Sequence, residues 1–531
     1  MSYREIDTSQ MSQLIAEYSI SPLLAKVLIS MHYTPQETAS FFHAPDKYTF
    51  DEKVYQPVVQ MLEKIKAEGQ RVFIFGDYDC DGICATSIMM MLLNKLQIPA
   101  GYYIPSRINE GYGLNVEKLS QAYEKGYRVL VTVDNGVAAT EGLKWAREHQ
   151  MRVIVTDHHL IQQEVECDCL LHPSLLSEDY QYLSGGAVVY LLAKYMQLDD
   201  ERMNILAMMS VIGDVMNLKG INIKIVRDGL DALNRHTYRQ VEMLEQLNFP
   251  VNETDISFKI VPKINAVGRM SDEAVSKANL LVRFFLSDNV QEMFSIAQLV
   301  NELNNERRNL SSRQSKMLMD SAPANDTLNF LYHPDLHIGI LGLIASHISA
   351  ETNKVTFVLT DNGENVVGSG RSVGEINLME IMEEFAQQTV QLGGHAKACG
   401  VTVKRTDLEK LDSYLHEKCA GLDTDSVYEY IDCDISDLSV ENIRQLYSYR
   451  PYGEGRKLPL MKIRFANQNM QMLKNSRQLK WKIGELELLS FTNEGYDHYA
   501  GREYLTVIGN LQENRFRNRT SYQIMIKEIL E

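Results

Sequence analysis

Between residues 58 and 156, segments with apolar residues at helical spacing alternate with short segments that are almost wholly apolar. The first pair is VVQMLEKIKAEG (58–69), which predicts a helix, and RVFIFG (71–76), which predicts a buried strand. Three further strands are predicted at 100–105, 127–133 and 151–156, each preceded by a helical segment. Helices that alternate with continuous apolar strands are typical of βαβ units, in which helices cover both faces of a parallel sheet. The sequence therefore predicts an α/β domain.

The 531 residues exceed what one hydrophobic core normally holds, since single domains rarely grow beyond ~250 to 300 residues. Residues 289–320 contain no Gly or Pro and predict one long helix that connects two lobes. Short alternating segments after about residue 437 predict a small β-barrel. The predicted order is an N-terminal helical segment (1–49), a parallel-sheet α/β domain (50–288), a connector helix (289–325), a smaller α/β domain (326–425) and a C-terminal β-barrel (426–531).

Composition is that of a globular protein, with 45% hydrophobic and 23% charged residues. No apolar run reaches the ~18 residues that a membrane span needs, and the sequence MSYREIDTSQ lacks the apolar core of a signal peptide. We therefore expect a cytoplasmic protein that does not associate with membranes. The seven cysteines are scattered and lack CxxC pairs, which predicts reduced thiols rather than disulfides or a zinc finger.

The net charge of −17 is unevenly distributed along the chain. From Val440 to Glu531 there are 15 Lys and Arg against 10 Asp and Glu, so this tail carries +5 and the rest of the chain −22. Phosphate binding needs local positive potential, and cation binding needs local negative potential. An acidic body with a basic tail therefore suits a protein that holds cations in one part and a polyanion in another.

Acidic residues and histidines follow three successive predicted strands. The strand at 71–76 is followed by Asp77, Asp79 and Asp81, the strand at 127–133 by Asp134, and the strand at 151–156 by Asp157, His158 and His159. A single Asp at such a position is most often a helix cap or turn residue, but capping alone does not explain three strands in succession. Ligands of open α/β sheets bind beyond the carboxyl ends of the strands, so these groups should converge. Carboxylates with imidazoles favour Mn²⁺ or Mg²⁺, and such a cluster can hold two ions about 4 Å apart.

Four of these segments, GDYDCDG (76–82), VDNG (133–136), TDHH (156–159) and GDVMNL (213–218), resemble the successive motifs of the DHH phosphoesterase superfamily. YIPSRINEGYG (103–113) and PKINAVGRM (262–270) narrow the resemblance to the RecJ family. Later segments are similar to the DHHA1 substrate-binding domain and to the RecJ OB-fold domain, namely HIGILGLIASHI (337–348), GSGRS (368–372), GGHAKACG (393–400), PYGEG (451–455) and GNLQENRFRN (509–518). The resemblance covers roughly residues 50 to 531 and predicts that the C-terminal barrel is an OB-fold.

The resemblance implies a two-ion site for Mn²⁺ or Mg²⁺, in which Asp134 bridges the ions. The implied metal ligands are Asp79, Asp81, Asp134, His158 and Asp214, and Asp77, at the end of the first strand, is predicted to belong to the same metal site. Asp157 would orient the histidines, and His159 would lie beside the scissile phosphate. A carboxylate such as Asp214 on the apolar segment 201–216 needs a partner, and a metal ion would supply it.

Substrate contacts are expected from the second lobe and the tail. Arg107, Arg269 and Arg371 match positions suited to bidentate phosphate contacts, although each could form a surface ion pair instead. Ser369, with Gly393, Gly394 and His395 in a Gly-rich turn, could cradle a phosphate or the end of the strand. Basic residues interleave with aromatics in the tail, which predicts either a single-strand groove or a solvated hairpin, at Lys480, Trp481, Arg515, Phe516 and Arg517.

The function that the resemblance implies is hydrolysis of single-stranded DNA from its 5′ end to 5′-mononucleotides, in repair and recombination. Single-strand-binding protein and a helicase are the protein partners it suggests. A second interpretation keeps the chemistry but takes short oligoribonucleotides or cyclic dinucleotides as substrates, and the OB-like tail argues against it. A third is a non-catalytic scaffold, but here every ligand position is filled.

Three positions depart from the RecJ pattern. His347 stands where RecJ proteins usually have Arg, and Asn217 and Ile221 replace the usual Pro and Glu. These substitutions leave the metal ligands intact, so we expect them to affect substrate affinity or end preference.

Overall fold

The computed structural model describes residues 2–43, 45–106, 113–270, 276–320, 327–473, 478–491, 496–516 and 519–530. Of the predicted site residues, Arg107, Arg517 and the side chain of Phe516 lie outside what the structure describes. The described strands form three sheets, of five, five and eight strands.

The chain begins with a strand followed by three short helices: β1 (Ser2–Glu5), α1 (Met11–Tyr18), α2 (Pro22–Ser30) and α3 (Pro35–Phe42). Caps explain where two of these helices begin, since Ser21 Oγ accepts from Leu24 N and Thr34 forms a capping box with Glu37. The sequence predicts only helix here, but β1 pairs in parallel with residues 427–430 near the other end of the chain. The apolar faces of the helices, including Leu24, pack into the core of the C-terminal domain. The N-terminal segment is therefore part of that domain.

The first α/β domain contains a five-stranded parallel sheet, as the alternation predicts. Its elements are α4 (Glu52–Ala67), β2 (Val72–Phe75), α5 (Cys80–Lys95), β3 (Ala100–Tyr103), α6 (Val116–Glu124), β4 (Val129–Val133), α7 (Thr140–Glu148), β5 (Arg152–Thr156) and β6 (Cys169–Leu171). The strand order is β3-β2-β4-β5-β6. The connection after β2 leads to β3 on one side of it, and the connection after β3 returns to β4 on the other side of β2. This reversal places the topological switch point between β2 and β4, and such sheets bind their ligands at the switch point.

A helical layer completes this domain with α8 (Gly185–Tyr195), α9 (Glu201–Gly213), α10 (Ile221–Asn234), α11 (Arg239–Leu244), α12 (Glu253–Asp255), a π-helical turn (Ile256–Ile260), α13 (Val261–Arg269) and α14 (Ala278–Leu286). Helices α5, α8 and α9 are buried along most of their length. The predicted connector is the 30-residue helix α15 (Val290–Met319). None of the helices in the described ranges is both long and apolar enough to cross a membrane.

The smaller α/β domain packs directly against the first. Its elements are β7 (Leu328–Tyr332), α16 (Leu341–Thr352), β8 (Val355–Asn362), β9 (Asn365–Arg371), α17 (Leu378–Met382), β10 (Gln391–His395), β11 (Ala398–Lys404) and α18 (Leu408–Cys419), with strand order β10-β11-β9-β8-β7. Ile340 and Ile344 belong to the same hydrophobic core as the parallel-sheet domain. Gly339 lies so close to the carbonyl oxygen of Arg269 that a Cβ there would be 1.9 Å from it. The two domains are thus closely packed at this contact.

The C-terminal domain is rich in strands, as predicted. It contains β12 (Val427–Cys433), α19 (Val440–Ser448), β13 (Leu460–Ala466), β14 (Gln471–Met472), β15 (Leu479–Ile483), β16 (Leu486–Ser490), α20 (Tyr496–Tyr499), β17 (Tyr504–Phe516) and β18 (Arg519–Leu530). With β1 they form one sheet in the order β1-β12-β13-β17-β18-β16-β15-β14. Among the strands that the structure describes, no pairing joins β1 to β14 to close a barrel.

Trp481 does not form a stacking surface for nucleic acid, so that prediction is wrong. Its side chain is fully buried, packs edge-on against Phe465 and donates from Nε1 to Asn467 Oδ1 at 2.8 Å. Side chains alternate along β15, so Trp481 faces the core while its neighbour Lys480 turns away and pairs with Glu487 at 2.7 Å. The aromatic residue of this basic segment is therefore a core residue.

Arg515 is likewise engaged within the protein. Its Nη2 lies 2.7 Å from Glu513, and its Nη1 donates to the carbonyl oxygen of Pro250 in the parallel-sheet domain. Arg515 thus joins two domains, and it also lines a cavity of about 460 Å³ with Arg519 and Thr520.

Replacing Trp481 by Ala should destabilise the C-terminal domain by about 3–5 kcal/mol, because it leaves a large cavity in the core. Hydrogen exchange of the β13 and β17 amides should therefore be faster in Trp481→Ala than in the unaltered protein. The increase should be smaller in Trp481→Phe, because Phe leaves a smaller cavity. Lys482→Ala, on the exposed face of the same strand, is the matched control and should change little. Unchanged exchange in Trp481→Ala would contradict the core position.

Candidate metal centre

The acids and histidines that follow β2, β4 and β5 converge at the switch point of the parallel sheet. Three sets of side chains each bring one ligand atom apiece to within 4.8 Å of one another: Asp77, Asp79 and Asp134; Asp81, His158 and Asp214; and Asp134, His158 and His159. Asp134 and His158 each belong to two of these sets, so the sets form one continuous cluster. Asp214, the residue that ends α9, joins it from the helical layer.

Asp81 is fixed by the N-terminus of another helix. Its carboxylate accepts hydrogen bonds from the backbone N–H groups of Gly185 and Gly186, both at 2.7 Å, and from Ser210 Oγ at 2.5 Å. These donors stabilise the negative charge of a side chain that is only 1% exposed. The helix α8 therefore holds Asp81 in place.

Sequence reasoning missed the role of these glycines. A Cβ at Gly185 would lie 2.6 Å from Asp134 Cβ, and one at Gly186 would lie 2.6 Å from Ser210 Oγ. Only glycine lets the start of α8 approach the acidic cluster this closely. The Ser-Gly-Gly sequence at the start of a predicted helix was the available signal.

Asp79 has both of the roles that the sequence leaves open. It is the N-cap of α5, where its Oδ1 accepts from the N–H groups of Asp81 at 2.9 Å and Gly82 at 3.2 Å. It also lies in the acidic cluster with Asp77 and Asp134. Capping and membership of the cluster are thus compatible, because a carboxylate has two oxygens.

Asp134 lies at the centre of the cluster in an unusual backbone conformation. Its φ of 57° is in the left-handed region, which Asp adopts more readily than most residues. Its buried Oδ1 makes no hydrogen bond of normal geometry within the described residues, and His158 Nε2 lies 3.1 Å away. An unsatisfied buried carboxylate oxygen is costly unless a cation or donor reaches it. The environment of Asp134 therefore suits a cation ligand.

His158 joins the acidic groups from the third strand. Its Nε2 lies 3.1 Å from Asp134 and 3.6 Å from both Asp81 and Asp214. Burial lowers the pKa of His158, against the opposing effect of Asp81. A lowered pKa favours the neutral imidazole, which is the form that binds metal ions.

Asp157 lies behind His159 and contacts it directly. Its carboxylate accepts from His159 Nδ1 at 2.8 Å and from the backbone N–H groups of Val137 at 2.9 Å and His158 at 2.7 Å. Burial acts to lower the pKa of His159, but the hydrogen bond and charge of Asp157 outweigh it and raise that pKa to about 9. In the metal-free protein, Asp157 therefore favours the protonated imidazolium form of His159.

The electrostatics of the cluster fit divalent cations. Burial, followed by the charges of Asp81 and Asp79, raises the pKa of Asp134 well above its usual range and that of Asp214 to about 8. These shifts show that so many buried carboxylates are unfavourable together without positive charge. Carboxylate and imidazole ligands suit Mn²⁺ or Mg²⁺, so the residues present fit the predicted two-ion site.

Ser369 and Arg371 lie together on β9 of the smaller domain. Arg371 Nη1 donates to Ser369 Oγ at 2.9 Å, and its Nε donates to Ser346 Oγ on α16 at 2.9 Å. Arg269 ends α13, where its carbonyl oxygen contacts Gly339 of the smaller domain. Arg269 thus lies at the junction of the two lobes.

The Gly-rich segment of this domain is a strand, so the prediction of a turn is wrong. Gly393, Gly394 and His395 lie in the edge strand β10, paired antiparallel with β11, and all three are exposed. Gly394 has a φ of 145°, and a Cβ there would lie 2.3 Å from the Ala398 carbonyl oxygen. The local pairing with β11, rather than a turn, thus requires this glycine.

The departures from the RecJ pattern lie at different places. His347 is exposed on α16, next to the Ser346 that bonds Arg371. Asn217 faces the C-terminal domain, since a Cβ on Gly455 would lie 2.5 Å from its Oδ1. Ile221 is buried at the start of α10. His347 is thus the neighbour of a residue that bonds the predicted substrate residue Arg371.

Comparison with known families matches three consecutive parts of the chain. Residues 71–213 match the N-terminal domain of the DHH family, residues 325–421 the DHHA1 domain, and residues 431–528 the RecJ OB domain. In all three parts the chain is similar to proteins of the RecJ family.

Proteins named RecJ are similar to this chain over nearly its whole length. The single-stranded-DNA-specific exonuclease RecJ of Bacillus subtilis is 27% identical over 98% of this chain and 70% of its own length. Two crystal structures of RecJ from Thermus thermophilus cover 100% of this chain, one with Mn²⁺ (TM-score 0.85, 23% identity, 79% of that chain) and one with Mg²⁺ (TM-score 0.78, 22% identity, 78% of that chain). The fold is thus that of RecJ.

In the absence of metal, Asp134→Asn should raise the melting temperature, because it removes one charge from a cluster of buried carboxylates. It should also abolish most of the thermal stabilisation that Mn²⁺ gives the unaltered protein. Asn tolerates the left-handed backbone at this position, so strain should not obscure the result.

Thermal unfolding in EDTA and in Mn²⁺ measures both effects, with the exposed Asp288→Asn as control. A normal Mn²⁺ stabilisation in Asp134→Asn would argue against Asp134 as a metal ligand.

Proposed function

We propose that this protein is a metal-dependent exonuclease that hydrolyses single-stranded DNA. The observation that carries the proposal is the cluster of Asp77, Asp79, Asp81, Asp134, His158 and Asp214 at the switch point of the parallel sheet. The DHH, DHHA1 and RecJ OB domains follow one another in the chain, and the RecJ relatives are single-strand-specific exonucleases.

The proposed cofactors are two Mn²⁺ or Mg²⁺ ions. Asp77, Asp79 and Asp134 would hold one ion, and Asp81, Asp134, His158 and Asp214 would hold the other, so that Asp134 bridges them. Ions held in this way stabilise negative charge on a phosphate and lower the pKa of water. One Thermus structure contains Mn²⁺ and the other contains Mg²⁺. These are the two ions that carboxylate and imidazole ligands favour here.

The protein's own groups bind and orient the substrate. His159 is held by Asp157 and, in its imidazolium form, can donate a hydrogen bond to an oxygen of the scissile phosphate. Ser369 and Arg371 offer donors from the second lobe, and Arg269 lies where the lobes meet. We propose that the strand enters between these lobes, which admit it only when it is unpaired.

Cleavage from the 5′ end to 5′-mononucleotides is the finer part of the proposal. It follows the family resemblance, as does delivery of the strand by single-strand-binding protein and a helicase. A phosphodiesterase for dinucleotides would not need the C-terminal domain, because a dinucleotide does not extend beyond the catalytic lobes. A non-catalytic scaffold would not need a complete set of metal ligands. The exonuclease is therefore the function that uses the whole molecule.

End-labelled single-stranded and blunt duplex DNA and RNA, incubated with the protein and Mn²⁺, test the function. Single strands and 5′ overhangs should be digested to mononucleotides, whereas blunt duplexes resist. Label released first from the 3′ end would overturn the polarity. Equal rates on single and double strands would overturn the single-strand specificity.

Asp134→Ala should reduce turnover by several orders of magnitude, because both ions depend on this carboxylate. A folded variant that retained a tenth of normal turnover would contradict the two-ion assignment.

Asp157→Asn should reduce turnover by about 10- to 100-fold, the range for partners that orient histidines at metal sites. Asp168→Asn is a matched control. Asp168, like Asp157, accepts a hydrogen bond from a backbone N–H group, here that of Val153 on β5, but it lies away from the acidic cluster. The optimum pH should also fall in Asp157→Asn, because His159 loses the interaction that raises its pKa to about 9. Equal rates and pH profiles in the two variants would exclude the orienting role.

The structure suggests a different strand-binding surface in the C-terminal domain from the one expected. A groove of about 770 Å³ is lined by Arg464, Lys482 and the half-exposed Tyr504, with Arg464 over the Tyr504 ring at 5.0 Å. Cations and an exposed ring side by side are typical of single-strand binding. We propose that this groove holds the strand beyond the catalytic lobes.

Tyr504→Ala combined with Lys482→Ala should raise the KM for long strands and make its salt dependence shallower, because stacking and one phosphate contact are lost. Turnover at saturation, and the KM for strands too short to reach the groove, should change little. Lys480→Ala is the control, since Lys480 is already paired with Glu487. Equal effects on short and long strands would contradict the assignment.

A further inference from the structure

The loop that carries the first proposed metal ligands is held by a residue from outside it. Cys80 lies between Asp79 and Asp81 in the chain and is 1% exposed, and its backbone N–H donates to Asn265 Oδ1 at 2.7 Å. Asn265 belongs to α13, 185 residues further along the chain. This hydrogen bond therefore ties the residue between two proposed ligands to a helix that is remote in sequence.

Asn265 completes the N-terminus of α5, where the first N–H groups have no partner within the helix. Asp79 Oδ1 accepts from the second and third of these groups, which belong to Asp81 and Gly82. The first belongs to Cys80 and donates to Asn265, whose oxygen is the only atom of its amide that can accept. Because Cys80 is buried, water does not replace this acceptor, and a buried N–H without an acceptor is unfavourable.

Helix α13 also borders the segment that carries Asp214. A Cβ at Gly213 would lie 2.9 Å from Cys80 Sγ and 3.6 Å from Cγ1 of Val261, the first residue of α13. Cys80 Sγ lies 3.6 Å from the Met209 carbonyl oxygen of α9. The end of α9, the start of α5 and α13 thus meet at Cys80.

The C-terminal end of α13 contacts both the ligand loop and the smaller domain. A Cβ at Gly268 would lie 2.5 Å from the Tyr78 carbonyl oxygen, so the helix packs on the loop with no side chain between them. The carbonyl oxygen of the next residue, Arg269, lies against Gly339 of the smaller domain. One short helix therefore contacts residues 78–80 on one side and the smaller domain on the other.

We propose that Asn265 is a positioning residue for the metal ligands Asp79 and Asp81, and that α13 sets their place relative to the smaller domain. A catalytic arrangement must be held to within about 0.5 Å of its productive geometry. The ligand loop would hold the ions, whereas Ser369 and Arg371 offer donors from the smaller domain, so the two parts need a rigid connection. This inference rests on the proposed function and names the residue that aligns the metal ligands with the second lobe.

Mn²⁺ binding to the full chain, measured from the EPR signal of the free ion, tests the positioning role without any substrate. Asn265→Ala should raise the Kd for Mn²⁺ by about 10- to 100-fold, the range for groups that orient metal ligands. Asn265→Asp keeps the accepting oxygen and should bind Mn²⁺ at least as tightly as the unaltered protein. Equal losses in the two variants would assign the effect to packing and overturn the proposal.

Asn289→Ala is the matched control for the loss of a helix cap. The exposed Asn289 caps α15, where its Oδ1 accepts from the N–H groups of Gln291 and Glu292. Its replacement removes an acceptor from a helix N-terminus but leaves the ligand loop untouched, so the Kd for Mn²⁺ should not change. A loss as large as that in Asn265→Ala would overturn the proposal.

Amide hydrogen exchange in the metal-free protein reports on the hydrogen bond itself. A peptide covering residues 77–86 should exchange faster in Asn265→Ala than in the unaltered protein, and Asn265→Asp should restore slow exchange. Equal exchange in the three proteins would show that the Cys80 N–H does not depend on Asn265, which contradicts the proposal.

Gly339→Ala tests the connection to the smaller domain. Its Cβ would lie 1.9 Å from the Arg269 carbonyl oxygen and must displace α13, so the Kd for Mn²⁺ should rise although no ligand has changed. The rise should be smaller, by about twofold or more, when Asn265→Ala has already released the loop. Effects that simply multiply would separate α13 from the ligand loop and overturn the connection.

Two further glycines make this test secure. Gly268→Ala pushes on the loop at Tyr78 and should raise the Kd for Mn²⁺ even if Gly339→Ala does not fold. Gly501→Ala is the control, because a Cβ there meets no heavy atom of the described residues within 4 Å. An unchanged Kd in a folded Gly268→Ala protein would contradict the role of α13.

Cleavage separates this inference from the proposed nuclease function. At saturating Mn²⁺, Asn265→Ala should lower kcat on single-stranded DNA and leave KM nearly unchanged, because the contacts to the strand remain. Weakened Mn²⁺ binding in Asn265→Ala, in a protein that cleaves no DNA, would defeat the nuclease function and leave the positioning role supported. Normal kcat and normal Mn²⁺ affinity in Asn265→Ala would defeat the positioning role alone.

Discussion

The structure depends on holding several carboxylates together away from water. Asp77, Asp81 and Asp134 are each no more than 5% exposed, and burial, followed by repulsion from the neighbouring carboxylates, raises the pKa of Asp134. The N-terminus of α8 compensates in part, because two of its N–H groups bind Asp81. The remaining imbalance favours divalent cations, so the same repulsion that weakens the metal-free protein gives the site its affinity.

The parallel sheet and the ends of its strands could be predicted from the sequence because they depend on local patterns. Apolar runs fix the strands, and the residues that follow each run must lie at one edge of the sheet. The apolar segment around Asp214 indicated that this carboxylate needs a partner, but its place in the cluster came from the family resemblance, since it reaches the cluster from a helix remote in sequence. The glycines of α8 were missed because their role is to leave space for Asp134 and Ser210. A pattern of side-chain types in the sequence does not reveal such a role.

The errors have a common physical origin. A basic segment with a tryptophan resembles a nucleic-acid surface, but alternation along β15 turns Trp481 inward and Lys480 outward. The Gly-rich segment at 393–395 resembles a turn, but pairing with β11 makes it a strand. In both cases the face or partner of the segment, which tertiary packing decides, determines its role.

The pairing of residues 2–5 with residues 427–430 makes the catalytic lobes a long insertion within the domain formed by the two ends of the chain. During synthesis the first strand leaves the ribosome hundreds of residues before its partner, so the catalytic lobes can fold first. Closing a loop of this length is entropically costly, although the cost grows only with the logarithm of length. The domain we propose to grip DNA is thus assembled last, and an extension fused at residue 1 would disturb the edge of its sheet.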